Sequence, residues 1–205
     1  MENEQPKKIG LFGGTFDPIH QGHLIIAEEV RRQAGLDMVL FIPSARPPHK
    51  HYDLMFTSRE RYDMIDKAIE NNPFFRVSDI EMKRDVPSFT IDTLREIKTQ
   101  VSGGTDLYFI VGKDNLYDIQ LWKDPRSIVK ECTVLVADRL CERTDAIPPW
   151  LEEKVQLVHM PIIDISSTEI RRRISANESI RYIVPEGVVG MIAQLHESRK
   201  QGKSL

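Results

Sequence analysis

Six short apolar runs, at 9–12, 38–42, 75–77, 107–111, 133–136 and 155–158, punctuate the 205-residue chain and are separated by longer amphipathic stretches. The runs are nearly continuous rather than alternating, the pattern of strands covered on both faces. Between them the apolar spacing changes to three and four. Residues 23–34 give one helical pattern, closed by Gly35 as a C-cap. Residues 57–71 give another, opened by Thr57 and Ser58 with Glu60 in capping-box position and stopped before Pro73. A third spans 91–101, with apolar residues at 91, 94, 97 and 101. This alternation predicts an α/β fold, a Rossmann-like doubly wound parallel sheet of about five to six strands with right-handed crossovers and helices on both faces.

The length suits one domain over 1–205, with a core at 8–176 and a C-terminal helical segment at 177–205. In that segment a final amphipathic helix after Pro185 is expected to pack on the sheet. The least regular stretches, 43–56 and 138–153, both follow strands. They should overhang the C-terminal edge of the sheet, where open α/β folds bind ligands.

A net charge of −3 gives no global attraction to nucleic acid or anionic lipid, so any phosphate site must be local. No apolar stretch approaches the roughly 18 residues of a membrane span. The polar start of the chain lacks the apolar segment of a secretory leader, and Cys132 and Cys141 do not make a disulfide framework. The cytoplasm is the expected compartment. A homo-oligomer stays open.

The residues that carry chemistry begin at the end of the first apolar run, with Gly13-Gly14-Thr15-Phe16-Asp17-Pro18-Ile19-His20-Gln21-Gly22-His23. A strand runs into a glycine turn, and the turn opens a helix. Asp17 reads as the helix N-cap with Pro18 at the first helical position. His20 and His23 then share one helical face, with Cβ atoms about 5–6 Å apart. Gly22 removes a side chain between them. Terminal N–H groups, a positive dipole end and two imidazoles converge there, which suits a polyphosphate. Neither the three-glycine dinucleotide fingerprint nor the Gly-Lys-Ser/Thr of a P-loop is present, so the phosphate chemistry is of another kind. No third ligand stands at a metal-binding spacing beside the histidines, and no protein-held metal is expected.

This string resembles the T/HxGH signature of the nucleotidylyltransferase superfamily, in which the α-phosphorus of a nucleoside triphosphate is attacked. Its second signature resembles Ile165-Ser166-Ser167-Thr168-Glu169-Ile170-Arg171, where Ser166 or Ser167 caps a helix and Arg171 adds a charged donor. Three intermediate segments narrow the family. Pro43 to Lys50 is a proline-stiffened loop holding Arg46, His49 and Lys50. Ser88-Phe89-Thr90 opens a helix. Gly112 and Asp114 follow a buried strand, with Trp122 shortly after. In this order the segments look like the bacterial nicotinate-nucleotide adenylyltransferases, from about residue 9 to 173. One departure is Phe89, where that family more often has Tyr.

The resemblance implies joining of ATP and nicotinate mononucleotide to give deamido-NAD and pyrophosphate, by direct in-line attack without a covalent intermediate. It implies His20, His23 and Arg171 on the triphosphate, with Gly13, Gly14, Thr15, Phe16, Ser166, Ser167 and Thr168 around ATP. Gly112 and Asp114 would hold the adenylate ribose. Arg46, His49, Lys50, Thr90 and Trp122 would hold the pyridine nucleotide, Trp122 by stacking. Mg2+ would arrive with ATP. The alternatives are a related enzyme using nicotinamide mononucleotide or pantetheine phosphate, and a noncatalytic nucleotide-binding regulator; intact phosphate motifs argue against the latter.

Overall fold

A computed structural model describes residues 6–46, 54–138 and 147–202, excepting the side chain of Asp114. All six apolar runs are strands: β1 (Lys8–Gly14), β2 (Met38–Pro43), β3 (Phe75–Val77), β4 (Asp106–Gly112), β5 (Thr133–Asp138) and β6 (Val155–His159). They form one sheet in the order β3-β2-β1-β4-β5-β6, and every pairing is parallel. The order reverses between β1 and β4. Connections leave that point in opposite directions, so a crevice opens beyond the carboxyl ends of these two strands.

Around the sheet lie α1 (Gln21–Ala34), α2 (Ser58–Ile69), α3 (Thr90–Gln100), α4 (Lys113–Leu116), α5 (Pro125–Glu131), α6 (Pro149–Glu152), α7 (Ser167–Ser175) and α8 (Glu186–Lys200). Strand alternation sends side chains to two cores. Phe12, Val39, Phe41, Ile110 and Leu135 pack with α1, α2, α7 and α8 on one face. Ile9, Leu11, Phe109, Val134 and Val136 pack with α3, α5 and α6 on the other. Gly10 is small for packing reasons, since a Cβ there would meet Leu36 Cδ1 at 2.6 Å.

Local signals set the helix ends. Gly35 takes the left-handed conformation at φ 62 that closes α1. Thr57 and Glu60 form the expected capping box, with Glu60 N–H on Thr57 Oγ1 at 3.2 Å and Thr57 N–H on the Glu60 carboxylate at 2.7 Å.

One expectation needs correction. Burial on both faces fails at the sheet edges: in β6 only Val158 is buried, and in β3 only Phe75, because an edge strand has a neighbour on one side alone. The last helix joins the core on its face of the sheet: Val188 and Ile192 of α8 are buried with Met64 and Ile65 of α2 and with Val39 and Phe41 of the strands, and Arg199 bridges Glu60 at 2.8 Å.

Candidate functional site

At the crevice between β1 and β4 lies a cleft of about 760 Å³. Its walls come from the β1–α1 turn, the ends of β4 and α4, the starts of α3 and α7, and the segment at Trp122. The resemblance had pointed to these elements, and the fold brings them together.

The β1–α1 turn departs from the expected geometry in instructive ways. Gly13 and Gly14 are the last residues of β1 and do not carry the turn. The left-handed residue is Phe16, at φ 50, a conformation that costs a β-carbon residue about 1–2 kcal/mol. Gly14 makes room for it: a Cβ at Gly14 would meet the Phe16 ring at 2.9 Å. Asp17 is not the helix N-cap. That position belongs to His20, whose extended backbone (φ −149, ψ 170) precedes Gln21. The Asp17 carboxylate, 1% exposed, accepts N–H bonds from Met55 and Phe56, each at 3.0 Å. A buried carboxylate requires such donors, and the chain entering α2 supplies them.

His20 and His23 are closer than helix spacing alone requires. Their rings stack with centroids 3.7 Å apart and planes 25° from parallel. The His20 backbone N–H donates to His23 Nδ1 at 3.3 Å. A neutral His23 ring so held carries its proton on Nε2, as a donor. Phe16 (4.9 Å) and Phe12 (6.1 Å) meet the His23 ring edge to face. Gly22 also serves this stack, since a Cβ there would lie 3.1 Å from the His20 ring.

Helix α7 begins at the opposite wall. Ser166 is its N-cap, accepting from Glu169 N–H at 3.2 Å, and Ser167 Oγ donates to Pro18 O at 3.0 Å. Arg171 donates from Nη1 to Asp17 O at 2.8 Å and from Nη2 to Thr168 Oγ1 at 3.2 Å, and stands 3.8 Å from the Asp17 carboxylate. On the solvent side of the same helix, Arg172 and then Arg173 hold the Glu169 carboxyl down at about 2.

Thr90 is the first residue of α3 and lines the cleft. The N-cap is Phe89, which offers no side-chain acceptor, and the Ser88 hydroxyl accepts from Arg46 N–H at 3.4 Å instead of capping. An N-terminus without a side-chain cap therefore faces the cleft. Trp122 lies beside it, edge-on to Phe109 at 5.9 Å. Lys123 ties the two segments, at 2.8 Å from Asp92 and 4.9 Å over the Phe89 ring. The ring at position 89 thus has a task without the hydroxyl of Tyr.

Gly112 ends β4 and opens α4, which contains Asp114. Arg46 does not line the cleft. It is exposed and directs Nη1 to Asp85 O at 2.9 Å. His49 and Lys50 lie outside the described residues, as does the Asp114 side chain. Among the described residues, no group of three or more His, Cys, Asp or Glu could hold a metal ion, and no helix is long and apolar enough to cross a membrane.

Arg61 was not anticipated. It is fully buried, and its guanidinium reaches Thr15 O (2.6 Å), Ser44 O (2.7 Å) and Phe56 O (3.3 Å). Burial pushes its pKa down, against the charges of Asp17 and Glu81 that push it up. The signal was available. The buried positions of α2 are 61, 64, 65 and 69, so a cation stands on the apolar stripe. Glu81 was also missed; it is buried in the cleft wall and accepts from Thr93 Oγ1 at 2.7 Å.

The chain is similar to known proteins both in sequence and in fold. Residues 11–173 match the family model described as cytidylyltransferase-like. A probable nicotinate-nucleotide adenylyltransferase of Caldicellulosiruptor saccharolyticus is 45% identical over 185 residues, 86% of this chain and 91% of that protein. One of Dehalococcoides mccartyi (strain CBDB1) is 38% identical over 193 residues, 91% of this chain and 95% of that protein. In fold, the chain is similar to Plasmodium falciparum nicotinic acid mononucleotide adenylyltransferase complexed with NaAD. The TM-score is 0.77 at 20% identity, covering 93% of this chain and 96% of that one.

Proposed function

The chain belongs to the cytidylyltransferase-like nucleotidyltransferases, within their nicotinate-nucleotide adenylyltransferase family, and from that membership we propose how its cleft works. The protein joins ATP and nicotinate mononucleotide, giving deamido-NAD and pyrophosphate, a step of NAD biosynthesis. A phosphate oxygen of the mononucleotide attacks the α-phosphorus in line. The new P–O bond forms as the bond to the β-phosphate oxygen breaks, and pyrophosphate leaves with the electron pair. The nucleophile is already anionic at neutral pH, so no general base is needed.

The observation that carries this reading is the meeting of His23, the N-terminus of α7 and Arg171 in one cleft at the strand-order reversal. Such donors neutralise charge that builds on phosphate oxygens in the transition state. In this reading His20, His23 and Arg171 hold the triphosphate. Gly13, Gly14, Thr15 and Phe16 flank it, and Ser166, Ser167 and Thr168 offer mainly backbone N–H groups, since the Ser167 hydroxyl is spent on Pro18. Gly112 and Asp114 take the adenylate ribose. Mg2+ comes bound to ATP, held by phosphate and water.

At the other end, Trp122 stacks on the pyridine ring. The start of α3 at Thr90, which no side chain caps, attracts a carboxylate, and that favours nicotinate over the neutral amide. In this reading the side chains of His49 and Lys50, and that of Arg46 once it leaves Asp85, meet the mononucleotide phosphate. The whole of 1–205 acts as one nucleotidylyltransferase domain in the cytoplasm.

The test is to incubate the protein with ATP, magnesium and, separately, the mononucleotides of nicotinate and nicotinamide and pantetheine phosphate, following pyrophosphate. Release with nicotinate mononucleotide well above the others is expected. Equal release with all three, or none, would overturn the assignment.

A further inference from the structure

Four backbone carbonyls at the end of β1 and in the turn that follows it, at Gly14, Thr15, Asp17 and Pro18, each accept a hydrogen bond from elsewhere in the fold. Gly14 O takes the Ser44 N–H at 2.8 Å, and Thr15 O takes Arg61 Nη1 at 2.6 Å. Asp17 O takes Arg171 Nη1 at 2.8 Å, and Pro18 O takes Ser167 Oγ at 3.0 Å. A carbonyl oxygen is a partial negative charge. A turn that receives a polyanion does best with these oxygens held by donors, leaving N–H groups and side chains to face the ligand. The residue between the two Arg-bound carbonyls is Phe16, whose left-handed backbone would relax without restraint. Its ring is also the edge-to-face neighbour of His23.

Of the four donors only Arg61 acts from the fully buried side, and it grips three segments at once. Besides Thr15 it holds Ser44 O, just past β2, and Phe56 O, at the entry to α2. Phe56 N–H in turn donates to the Asp17 carboxylate, which closes a ring of contacts from Arg61 through 56 and 17 back to 15. A charge this deep is costly to bury. The three carbonyls are taken by Nε, Nη1 and Nη2 separately, a spread that the planar guanidinium fork offers and the compact single nitrogen of an ammonium does not.

We propose that Arg61 is a positioning residue for the transfer reaction: it turns the Thr15 and Ser44 carbonyls away from the cleft, fixes Phe16, and so sets the His20–His23 stack at the height the triphosphate requires. It touches no substrate. The proposal rests on the adenylyl-transfer reading above.

Two variants test it. Arg61→Lys keeps the charge but loses the fork. Arg61→Met removes the charge and keeps an unbranched side chain, a replacement that buried ionic sites often accept with little loss of folding. Each is compared with the unmodified protein by thermal melting, by kcat and both KM values, and by NMR of the histidine ring nitrogens. The expected result is folded protein with kcat lowered about tenfold in Arg61→Lys and about a hundredfold in Arg61→Met, the scale of a misplacement near 1 Å. KM for nicotinate mononucleotide should stay within about twofold, while the His20 and His23 ring signals move. Unchanged kcat per folded molecule, or unmoved histidine signals, would overturn the proposal. So would failure of both variants to fold, which would make Arg61 a folding residue only. Absence of turnover in the unmodified protein would instead strike the adenylyl-transfer reading, and the histidine signals would still report on the clamp.

Discussion

His23 is held by its neighbours rather than by its place on a helix alone. The His20 N–H fixes Nδ1, Phe12 and Phe16 fix the ring edges, and His20 stacks on its face. A donor restrained this way needs no reorganisation when charge develops beside it, which is what makes such groups effective. The Trp122 ring is half-buried against Phe109 and borders the cleft, so stacking on a ligand and packing in the core are both physically available to it. Trp122→Ala is expected to raise KM for nicotinate mononucleotide about tenfold, as loss of a stacking ring does, with little change for ATP. Steady-state kinetics with each substrate varied checks this, and equal rises in both constants would identify a core tryptophan. The residue types at the site were legible because histidines, Arg171 and the serines carry chemistry in their spacing. Their local roles were less so. Asp17 followed by Pro18 reads as a cap until the fold brings Met55 and Phe56 to its carboxylate, and Gly14 reads as a turn until the Phe16 ring is seen against it. Those facts are tertiary, and no local pattern contains them.

Helices and strands were the most readable level. Continuous apolar runs became strands to within two residues, and Thr57, Glu60 and Gly35 set helix ends because capping is a local interaction between near neighbours. Gly35 offers a clean test. Its backbone is left-handed and nothing lies within 4 Å of a Cβ built there, so Gly35→Ala adds backbone strain and no clash. The variant should lose about 1 kcal/mol and melt roughly 2–4 °C lower, with kcat unchanged. An unchanged or raised melting temperature would contradict the role of the cap. Elements were misread where their surroundings decide their faces. The edges β3 and β6 look like their central neighbours in sequence, because hydrophobicity does not say whether a strand has a neighbour on one side or on both. Arg61 on the apolar stripe of α2 was the visible exception, a sign that the helix face meets polar backbone as well as core.

At the scale of the whole molecule, the parallel order β3-β2-β1-β4-β5-β6 creates one place where donors from both halves of the chain can meet. The first half brings the His20–His23 stack, and the second brings α7 and Arg171. Hydrogen bonds from Ser167 to Pro18 and from Arg171 to Asp17 bolt the two together across about 150 residues of sequence. In the proposed reaction those groups are fixed donors around a single displacement. A histidine in the same place could instead attack the α-phosphorus and form an adenylyl-enzyme, so the two pictures differ in stereochemistry. The decisive measurement runs the reaction with ATP made chiral at the α-phosphorus by sulfur substitution and determines the configuration of the deamido-NAD formed. Direct in-line attack predicts inversion at phosphorus; retention would mean two displacements and a covalent histidine intermediate, and would contradict the account.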